Sequence, residues 1–394
     1  MKRNWEYKKL GDVCVSELGK TLNQSKDTGS LQPYLCAVNV QWDSLDFTTL
    51  KQARFEEDEL ERYSVQKNDL LVCEGGDVGR AAIWNQEKPM LYQNALHRLR
   101  FSNNCNPRFY LFCLKHLKNK GVLDGRYAKG VTIKHLVKSA LLSIQVPVPP
   151  LEEQQRIVAE LDLLTGIIDK QNAQLKELDN LAQAIFYDMF GDPIENPKGW
   201  SCSILSEKCE VSSSKRVLVE DVVDSGIPFL RGTELTMLSK AGSSKDVKFT
   251  MFITQEHYER VKAITGVPKK GDILIPSINS NGFTWIVDTD SPFYFKDGRV
   301  LWVHVNEKYF ASHYLKNAIS RIISGTYTQL TDGATFLELK LFNIRDMIVP
   351  LPPLALQQSF AEKIQSIEKQ KETIRASIAD TQKLLDYTMD KYFG

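Results

Sequence analysis

The sequence VPVPPLEEQQ at residues 146–155 decides the fold, and it returns as VPLPPLALQQ at residues 349–358, 203 positions further along the chain. A pair of prolines interrupts a strand. The fixed φ of proline also suits the first turn of a helix, where its missing N–H would have no partner. We therefore expect one long helix to begin at about Leu151 and a second at about Leu354.

The residues after each Pro-Pro pair carry a helical periodicity. Seam positions recur in steps of four and three, which is the pattern of a coiled coil. In the first copy one polar residue, Gln171, interrupts the seam. The seam residues are Ile157, Leu161, Leu164, Ile168, Gln171, Leu175, Leu178, Ala182, Ile185 and Met189 in the first copy, and Phe360, Ile364, Ile367, Lys371, Ile374, Ile378, Thr381, Leu385, Thr388 and Tyr392 in the second. The pattern predicts one helical module used twice.

The length of 394 residues and this internal repeat divide the chain into two similar halves. We predict an α+β fold with two similar mixed α/β domains, residues 1–145 and 191–348. Two long antiparallel coiled-coil helices, residues 146–190 and 349–394, separate them. The antiparallel direction follows from comparing the length of the first helix with the distance that the segment after it can span. A helix of this length spans about 60 Å at ~1.5 Å per residue, whereas segment 191–199 spans at most roughly 30 Å, so the chain cannot run back along the helix.

Shorter elements are predicted inside each domain. Strands are expected over 70–73, 81–84, 273–276, 284–287 and 299–305, and helices over 107–120, 308–324, 133–142 and 336–342. The spacing between equivalent residues of the two halves increases by eight between Glu234 and Lys270, so the second half has eight extra residues there. We expect this insertion to form a surface loop.

Composition limits the class of protein. The formal net charge is +1, yet the first 150 residues are basic and the helix after them is acidic. Seven cysteines are an odd number in a long chain and fit reduced thiols better than a disulfide framework. Neither a signal peptide nor a transmembrane-length apolar run is present, so we expect a cytoplasmic protein without membrane contact.

Motifs for catalysis are missing. Both Pro-Pro pairs lie between aliphatic residues, without the acidic or amide residue and the aromatic of an amino methyltransferase motif. A phosphate-cradling GxxxxGK[ST] loop is absent too, as is any Pro-Asp dipeptide of the usual nuclease signature. Cys113 and His116 have the spacing of zinc ligands but no second pair, so packing roles are expected for both and no metal site.

Binding residues are more evident. Residues 115–138 are rich in lysine and arginine, which suits a phosphate backbone, although a solvated helix face would look the same. Glycine loops at 74–80 and 277–283 share Gly79 and Gly282 but differ in side chains. Two copies of a scaffold would read two sequences in this way, with Arg80 suited to guanine and Asn279 or Asn281 to adenine, while an ordinary hairpin turn is the alternative. The candidate DNA-binding residues are Arg80, Lys115, Lys118, Arg126, Tyr127, Lys129, Thr132, Lys134, Lys215, Arg216, Arg231, Ser277, Asn279, Asn281, Tyr327, Gln329 and Thr335.

The apolar stripe on the first helix is wider than one helical partner requires. Such breadth predicts a second neighbour, either helices of another protein or the domains of this chain. The candidate partner-binding residues are Val158, Leu163, Ile167, Leu181, Phe186 and Phe190.

With these features the chain resembles the specificity subunit of a type I restriction-modification system over nearly its whole length. The residues that carry the resemblance are the Trp5 to Leu10 opening, the segment from Asp69 to Arg80, Gly130-Val131-Thr132, and Pro149-Pro150-Leu151-Glu152-Glu153-Gln154. The second copy departs from this pattern where Ala355, Leu356 and Ser359 replace Glu152, Glu153 and Arg156.

The resemblance implies a function in double-stranded DNA recognition. It implies two target-recognition domains that each read half of a bipartite, asymmetric site, and helices that set the spacer. It also implies two docked adenine methyltransferase subunits that bring S-adenosylmethionine, and ATP- and Mg-dependent motor-nuclease subunits, while this chain holds no cofactor and is no enzyme. Alternatives are a subunit of a related methyltransferase complex without a motor, a protein-only coiled-coil adaptor, or an enzyme with an unrecognised site.

Overall fold

The computed structural model describes residues 5–23, 25, 27–130, 134–218, 221–330 and 337–394. The chain forms two compact units. Unit 1 comprises residues 1–171 and 377–394, and unit 2 comprises residues 172–376. Each long helix therefore contributes one part to each unit. None of the described helices combines the length and hydrophobicity that a membrane span requires.

Unit 1 is built mainly from short strands. Its strands are β1 (Tyr7–Lys9), β2 (Cys14–Leu18), β3 (Ser30–Leu35), β4 (Val40–Gln41), β5 (Ser44–Leu45), β6 (Lys51–Phe55), β7 (Ser64–Val65), β8 (Leu70–Cys73), β9 (Ala81–Ile83), β10 (Met90–Tyr92), β11 (Leu96–Phe101) and β12 (Gln145–Pro147). Its helices are α1 (Glu57–Arg62), α2 (Pro107–Asn119), a π-helical turn (Leu123–Tyr127), α3 (Lys138–Leu142) and the first part of α4 (Leu151–Phe190).

Two four-stranded sheets form the body of unit 1, in the orders β6-β3-β10-β7 and β2-β11-β8-β9. Strands β3 and β10 run parallel, whereas the second sheet is antiparallel. Helix α2 packs beside β9, and β1 pairs with β12 just before α4 begins. The core between the β2-β11-β8-β9 sheet, α2 and the start of α4 is apolar, with Leu70, Phe109 and Leu161 fully buried.

Unit 2 repeats this plan. Its strands are β13 (Cys202–Ile204), β14 (Glu210–Ser213), β15 (Val222–Val223), β16 (Ile227–Leu230), β17 (Phe252–Ile253), β18 (Ile273–Pro276), β19 (Trp285–Ile286), β20 (Tyr294–Phe295), β21 (Val300–His304) and β22 (Ile348–Pro350). Its helices are α5 (Leu205–Lys208), α6 (Gly232–Ala241), α7 (Gln255–Thr265), α8 (Ser312–Leu330), α9 (Leu341–Arg345) and the first part of α10 (Leu354–Phe393). Its sheets are ordered β14-β21-β18-β19 and β15-β17-β16-β20.

The long helices pair in opposite directions within each unit. In unit 1, Arg156 of α4 contacts Tyr392 of α10, whereas Gln171, further along α4, donates to Ser377, earlier in α10. In unit 2, Lys371 pairs with Asp179 at 2.7 Å, and Phe360 packs against Phe186 and Phe190. The predicted duplicated α+β architecture with antiparallel helices is therefore confirmed, and the seam lysine has an ion pair.

A buried glutamine fastens the start of each long helix to its domain. Gln154 Oε1 accepts a hydrogen bond from the Asn106 N–H at 2.8 Å, and its Nε2 donates to Pro149 O at 2.8 Å. Gln357 Oε1 accepts from the Ala311 N–H at 2.9 Å, and its Nε2 donates to Pro352 O at 2.9 Å. Both side chains are fully buried. We call this arrangement the glutamine clamp.

Several predicted boundaries need correction. Helix α8 begins at Ser312 rather than at about 308, because Gln357 occupies the backbone groups of Tyr309 and Ala311, and it is kinked at Thr326. Helices α3 and α9 are short and begin later than predicted. The stretch from Glu234 to Lys270 carries most of α6 together with β17 and α7, and residues 242–251 between α6 and β17, which form neither α-helix nor strand, leave room for the expected surface loop.

The clamp predicts a measurable stability loss. Gln154→Leu removes the acceptor of the half-buried Asn106 N–H and both bonds of the buried amide, and we expect it to lower the free energy of unfolding by about 2 kcal/mol. Gln357→Leu should act alike in unit 2. The exposed neighbours Gln155 and Gln358 provide matched controls, whose leucine variants should stay within about 0.5 kcal/mol of the wild type. Chemical denaturation followed by circular dichroism measures the difference, and equal midpoints for Q154L and Q155L would contradict the clamp.

Candidate nucleic-acid interface

The glycine loop and the basic segment of unit 1, predicted separately, lie together in the structure. The Leu136 N–H donates to Glu74 O at 2.7 Å, and Gly75 forms a bridge with His135. Lys118 Nζ pairs with Asp77 at 2.8 Å and with Asp124 at 3.0 Å. We call the described part of residues 74–80 and 115–138 loop surface 1.

A buried histidine supports this surface. His97 of β11 is fully buried, and its Nε2 lies 3.0 Å from Leu136 O and 3.8 Å from a Glu74 carboxylate oxygen. Burial lowers the pKa of His97, so the neutral ring donates from Nε2 to the carbonyl at neutral pH. The imidazole thereby ties the sheet to the segment around Leu136.

Unit 2 attaches its loop at the equivalent position. The Leu339 N–H donates to Ser277 O at 2.8 Å, 203 residues after the Leu136–Glu74 bond. The Tyr327 hydroxyl donates to Leu337 O at 2.6 Å and accepts from the Asn279 N–H at 3.1 Å. We call residues 277–283, 327–330 and 337–340 loop surface 2. Two equivalent backbone attachments thus hold loops of different composition.

The two loop surfaces differ in charge. Loop surface 1 exposes Arg126, Lys129, Lys134 and Lys138, and the Arg126 guanidinium lies 5.5 Å from the half-buried Tyr127 ring. Loop surface 2 exposes neutral hydrogen-bonding groups, namely Thr328, Gln329 and Asn281. Its acid Glu338 is already paired with Arg299 and Lys340. Loop surface 1 is therefore suited to phosphates, and loop surface 2 to neutral polar edges.

Some predicted base-reading side chains already form hydrogen bonds to the backbone of this chain. Arg80 Nη2 donates to Ala37 O at 2.7 Å. The buried Asn279 amide donates to Phe283 O at 2.7 Å and accepts from the Phe283 N–H at 2.6 Å. In the free chain these bonds engage Arg80 and Asn279, and their interpretation as readers of guanine and adenine stays a prediction.

Other candidates are also paired or lie elsewhere. Buried Ser277 donates to Glu338 at 3.0 Å, Tyr327 is buried, and Arg231 binds Glu234 through two nitrogens. Lys115 is half-buried on α2. Lys215 and Arg216 are exposed after β14, and the Lys215 N–H donates to the Tyr294 hydroxyl in the other sheet. Thr132 and Thr335 lie outside the described residues.

The predicted partner stripe on α4 divides by burial. Val158 packs in the core of unit 1, and Phe186 and Phe190 pack in the core of unit 2, so the chain itself covers them. Leu163, Ile167 and Leu181 are exposed, by 66%, 36% and 48%. The sequence reading missed two exposed residues of α10, Leu384 and Tyr387, at 51% and 68%. Their spacing of three just outside the second seam is the signal that could have found them.

The two residues with zinc-like spacing are part of the packing of unit 1. Cys113 lies in the apolar core, where burial raises the pKa of its thiol to about 12. The His116 ring lies 5.9 Å from that of Phe393. Across the described ranges, no three His, Cys, Asp or Glu side chains converge as metal ligands.

Solved structures of the same fold give the class of protein. The crystal structure of a type I restriction-modification S subunit from M. genitalium superposes with a TM-score of 0.55 at 15% identity, covering 100% of this chain and 97% of that chain. A chain from a structural study of type I restriction-modification assembly and conformational transition gives a TM-score of 0.59 at 16% identity, covering 99% and 97%. The fold is therefore that of type I S subunits.

Sequence comparison identifies the family. The family model described as the type I restriction modification DNA specificity domain matches residues 2–180 and 197–380. A putative type I restriction enzyme specificity subunit of Haemophilus influenzae is 26% identical over 385 residues, covering 95% of this chain and 89% of the relative. The MjaVIII specificity subunit of Methanocaldococcus jannaschii is 23% identical over 394 residues, covering 93% and 86%. This chain belongs to the family of type I restriction-modification specificity subunits.

Glycine substitutions test the loop geometry. Gly79 has a φ of +81°, and an added Cβ would collide with Leu123, whereas Gly76 has a φ of +74° and open space around it. Both alanine variants incur the left-handed strain of about 1 kcal/mol. We expect Gly79→Ala to lose clearly more stability than Gly76→Ala because Leu123 must also move. Hydrogen exchange of residues 74–80 and 123–130 measures this, and equal exchange in both variants would refute it.

Proposed function

We propose that this specificity subunit reads a bipartite DNA target, with loop surface 1 on one half-site and loop surface 2 on the other. The observation that carries the proposal is the repeated attachment of Leu136 to Glu74 and of Leu339 to Ser277, which holds two unlike loops on one scaffold. Equal scaffolds place both loops alike, while different side chains select different bases. An asymmetric target is the consequence.

The two half-sites would be bound through different forces. Exposed cations on loop surface 1 favour phosphate contacts, whose free energy comes from counterion release and falls with salt. Amide and hydroxyl groups on loop surface 2 favour base edges and sugar or phosphate hydrogen bonds with little salt dependence. Unit 1 would therefore supply most of the electrostatic affinity, and the long helices would set the spacer between the half-sites.

We further propose that the chain is a non-catalytic, cytoplasmic subunit that docks two DNA adenine methyltransferase subunits. Exposed apolar residues of the long helices, Leu163, Ile167, Leu384 and Tyr387 in unit 1 and Leu181 in unit 2, are suited to that contact. S-adenosylmethionine would then reside on the methyltransferases, and ATP and Mg on motor-nuclease subunits.

Salt dependence tests the role of loop surface 1. Lys129→Ala in the methyltransferase complex should weaken binding to all duplexes alike and reduce the slope of log affinity against log salt by about 1. Lys88→Ala is the matched control, since this exposed lysine of unit 1 lies between β9 and β10, outside loop surface 1. Fluorescence anisotropy at several salt concentrations gives both slopes. The role fails if the two variants share one slope.

A domain exchange tests the division of labour. Replacing residues 1–145 with those of another family member should change one half of the methylated target and leave the other half and the spacer unchanged. Sequencing of methylated host DNA reads both halves in one experiment. A change in both halves would contradict two independent readers. Methyl transfer by the isolated chain would instead reveal an enzyme.

A further inference from the structure

Unit 2 contains a cleft of about 1020 Å³ that lies over the edge strand β19. One wall is α8, with His313, Lys316 and Asn317, and the opposite wall is α10, with Ala361 and Ile364. Its charged lining residues are Lys240, Lys270, Lys316, Arg321, Lys371 and Arg375 together with Asp179, Asp288, Glu307 and Glu368. The cleft thus joins an apolar floor to a predominantly basic lining.

The equivalent space in unit 1 is filled by the chain itself. The β4–β5 hairpin packs on the edge strand β9, where the Asp43 N–H donates to Ala81 O at 2.9 Å. The Asp43 carboxylate accepts two hydrogen bonds from Arg108 of α2, at 2.7 and 2.8 Å. Trp42, the preceding residue, packs on the apolar core of the unit. The tip of this hairpin therefore offers an aromatic side chain next to a carboxylate.

The glutamine clamps give the correspondence between the two spaces. Because Gln154 binds Asn106 and Gln357 binds Ala311, the starts of α2 and α8 differ by 205 positions. By this register His313 corresponds to Arg108 and Lys316 to the fully buried Leu111. The cation has thus moved by one helical turn on the same face of the helix.

Unit 2 leaves that cation without the carboxylate that serves unit 1. Helix α6 occupies the stretch of chain where unit 1 forms the hairpin, and the space beside α8 remains open. No described residue forms an ion pair or hydrogen bond with the half-buried Lys316 ammonium. The nearby acids Asp179 and Glu368 are bound by Lys371, at 2.7 and 2.8 Å.

The surroundings make this arrangement unfavourable for a bare cation. Burial lowers the pKa of Lys316, although the carboxylate of Glu368 opposes the shift. Burial also lowers the pKa of His313 to about 4, so this ring is neutral at neutral pH. A partly desolvated ammonium is stabilised when a carboxylate reaches it.

We propose that the cleft of unit 2 docks an acidic loop of a partner protein, which enters as the Trp42–Asp43 hairpin does in unit 1. Its carboxylate binds Lys316, and its neighbouring aromatic side chain packs over Ala361 and Ile364. This inference concerns a protein contact and does not depend on which DNA sequence the loop surfaces read.

The test uses the full chain and a defined probe. The probe is a fluorescein-labelled peptide with the sequence of residues 38–47, with one cysteine added at each end so that a disulfide closes it, in the wild-type form and with Asp43→Asn. We expect saturable binding by fluorescence anisotropy that weakens at least tenfold for the Asp43→Asn peptide and for Lys316→Met protein. Lys248→Met, at an exposed lysine of unit 2 that does not line the cleft, should bind like the wild type.

Further measurements keep the result decisive. Lys316→Met should fold with an unchanged or raised melting temperature, because it removes a partly desolvated charge. Citrate and inorganic phosphate serve as competitors. If either displaces the peptide at millimolar concentration with the same dependence on Lys316, the cleft is a small-anion site and the proposal is wrong. Absence of saturable binding, or equal binding by Lys316→Met, overturns it as well.

Discussion

The glutamine clamp is the constraint on which the arrangement of each unit depends. One buried amide bonds the backbone before the long helix and the backbone before α2 or α8, so both helices start from a fixed point. A side chain with one acceptor and two donor hydrogens can satisfy both ends only in one geometry. Because the glutamine amide itself is fully buried, any displacement would leave its polar atoms unpaired. The clamp thereby places the domain relative to the part of the helix in its own unit.

The repeat keeps this framework while its surfaces diverge. Equivalent backbone bonds attach the glycine loops, yet one loop surface is basic and the other is neutral and polar. The space beside α2 in unit 1 and α8 in unit 2 diverges too, filled by Trp42 and Asp43 in unit 1 and open at Lys316 in unit 2. The two halves therefore share the backbone contacts that the fold requires and differ in exposed side chains that the fold does not require.

The sequence predicted the regular parts of this structure well. Helix α4 runs from Leu151 to Phe190, as the Pro-Pro start and the seam indicate, and strands β8 and β18 have their predicted bounds. These features follow from local periodicity. The repeat predicted where the glycine loops lie in the sequence. It did not predict that the glycine loop and the basic segment of unit 1 form one surface, because this contact depends on the bond between Leu136 and Glu74, which are distant in sequence.

The burial of individual site residues was not predictable in this way. Asn279 and Arg80 look like base readers because their side chains are polar and follow a strand, but Asn279 bonds the backbone of Phe283 in its own loop and Arg80 bonds the distant Ala37 carbonyl. Phe186 and Phe190 look like an exposed stripe until Phe360 packs on them. Gln154 belongs to the VPVPPLEEQQ sequence at residues 146–155, but no neighbouring residue in the sequence indicates its bond to Asn106. Non-local contacts decide such cases.

The division of the chain inside its long helices has a consequence for folding during synthesis. Unit 2 is a continuous segment, whereas unit 1 needs residues 377–394, which leave the ribosome after all of unit 2. Until Leu385 and Met389 arrive, the apolar face of Ile157 and Leu161 lacks part of its cover. Unit 1 therefore begins before unit 2 but is completed after it, and during that interval its nascent helix exposes a surface that chaperones or a waiting partner can protect.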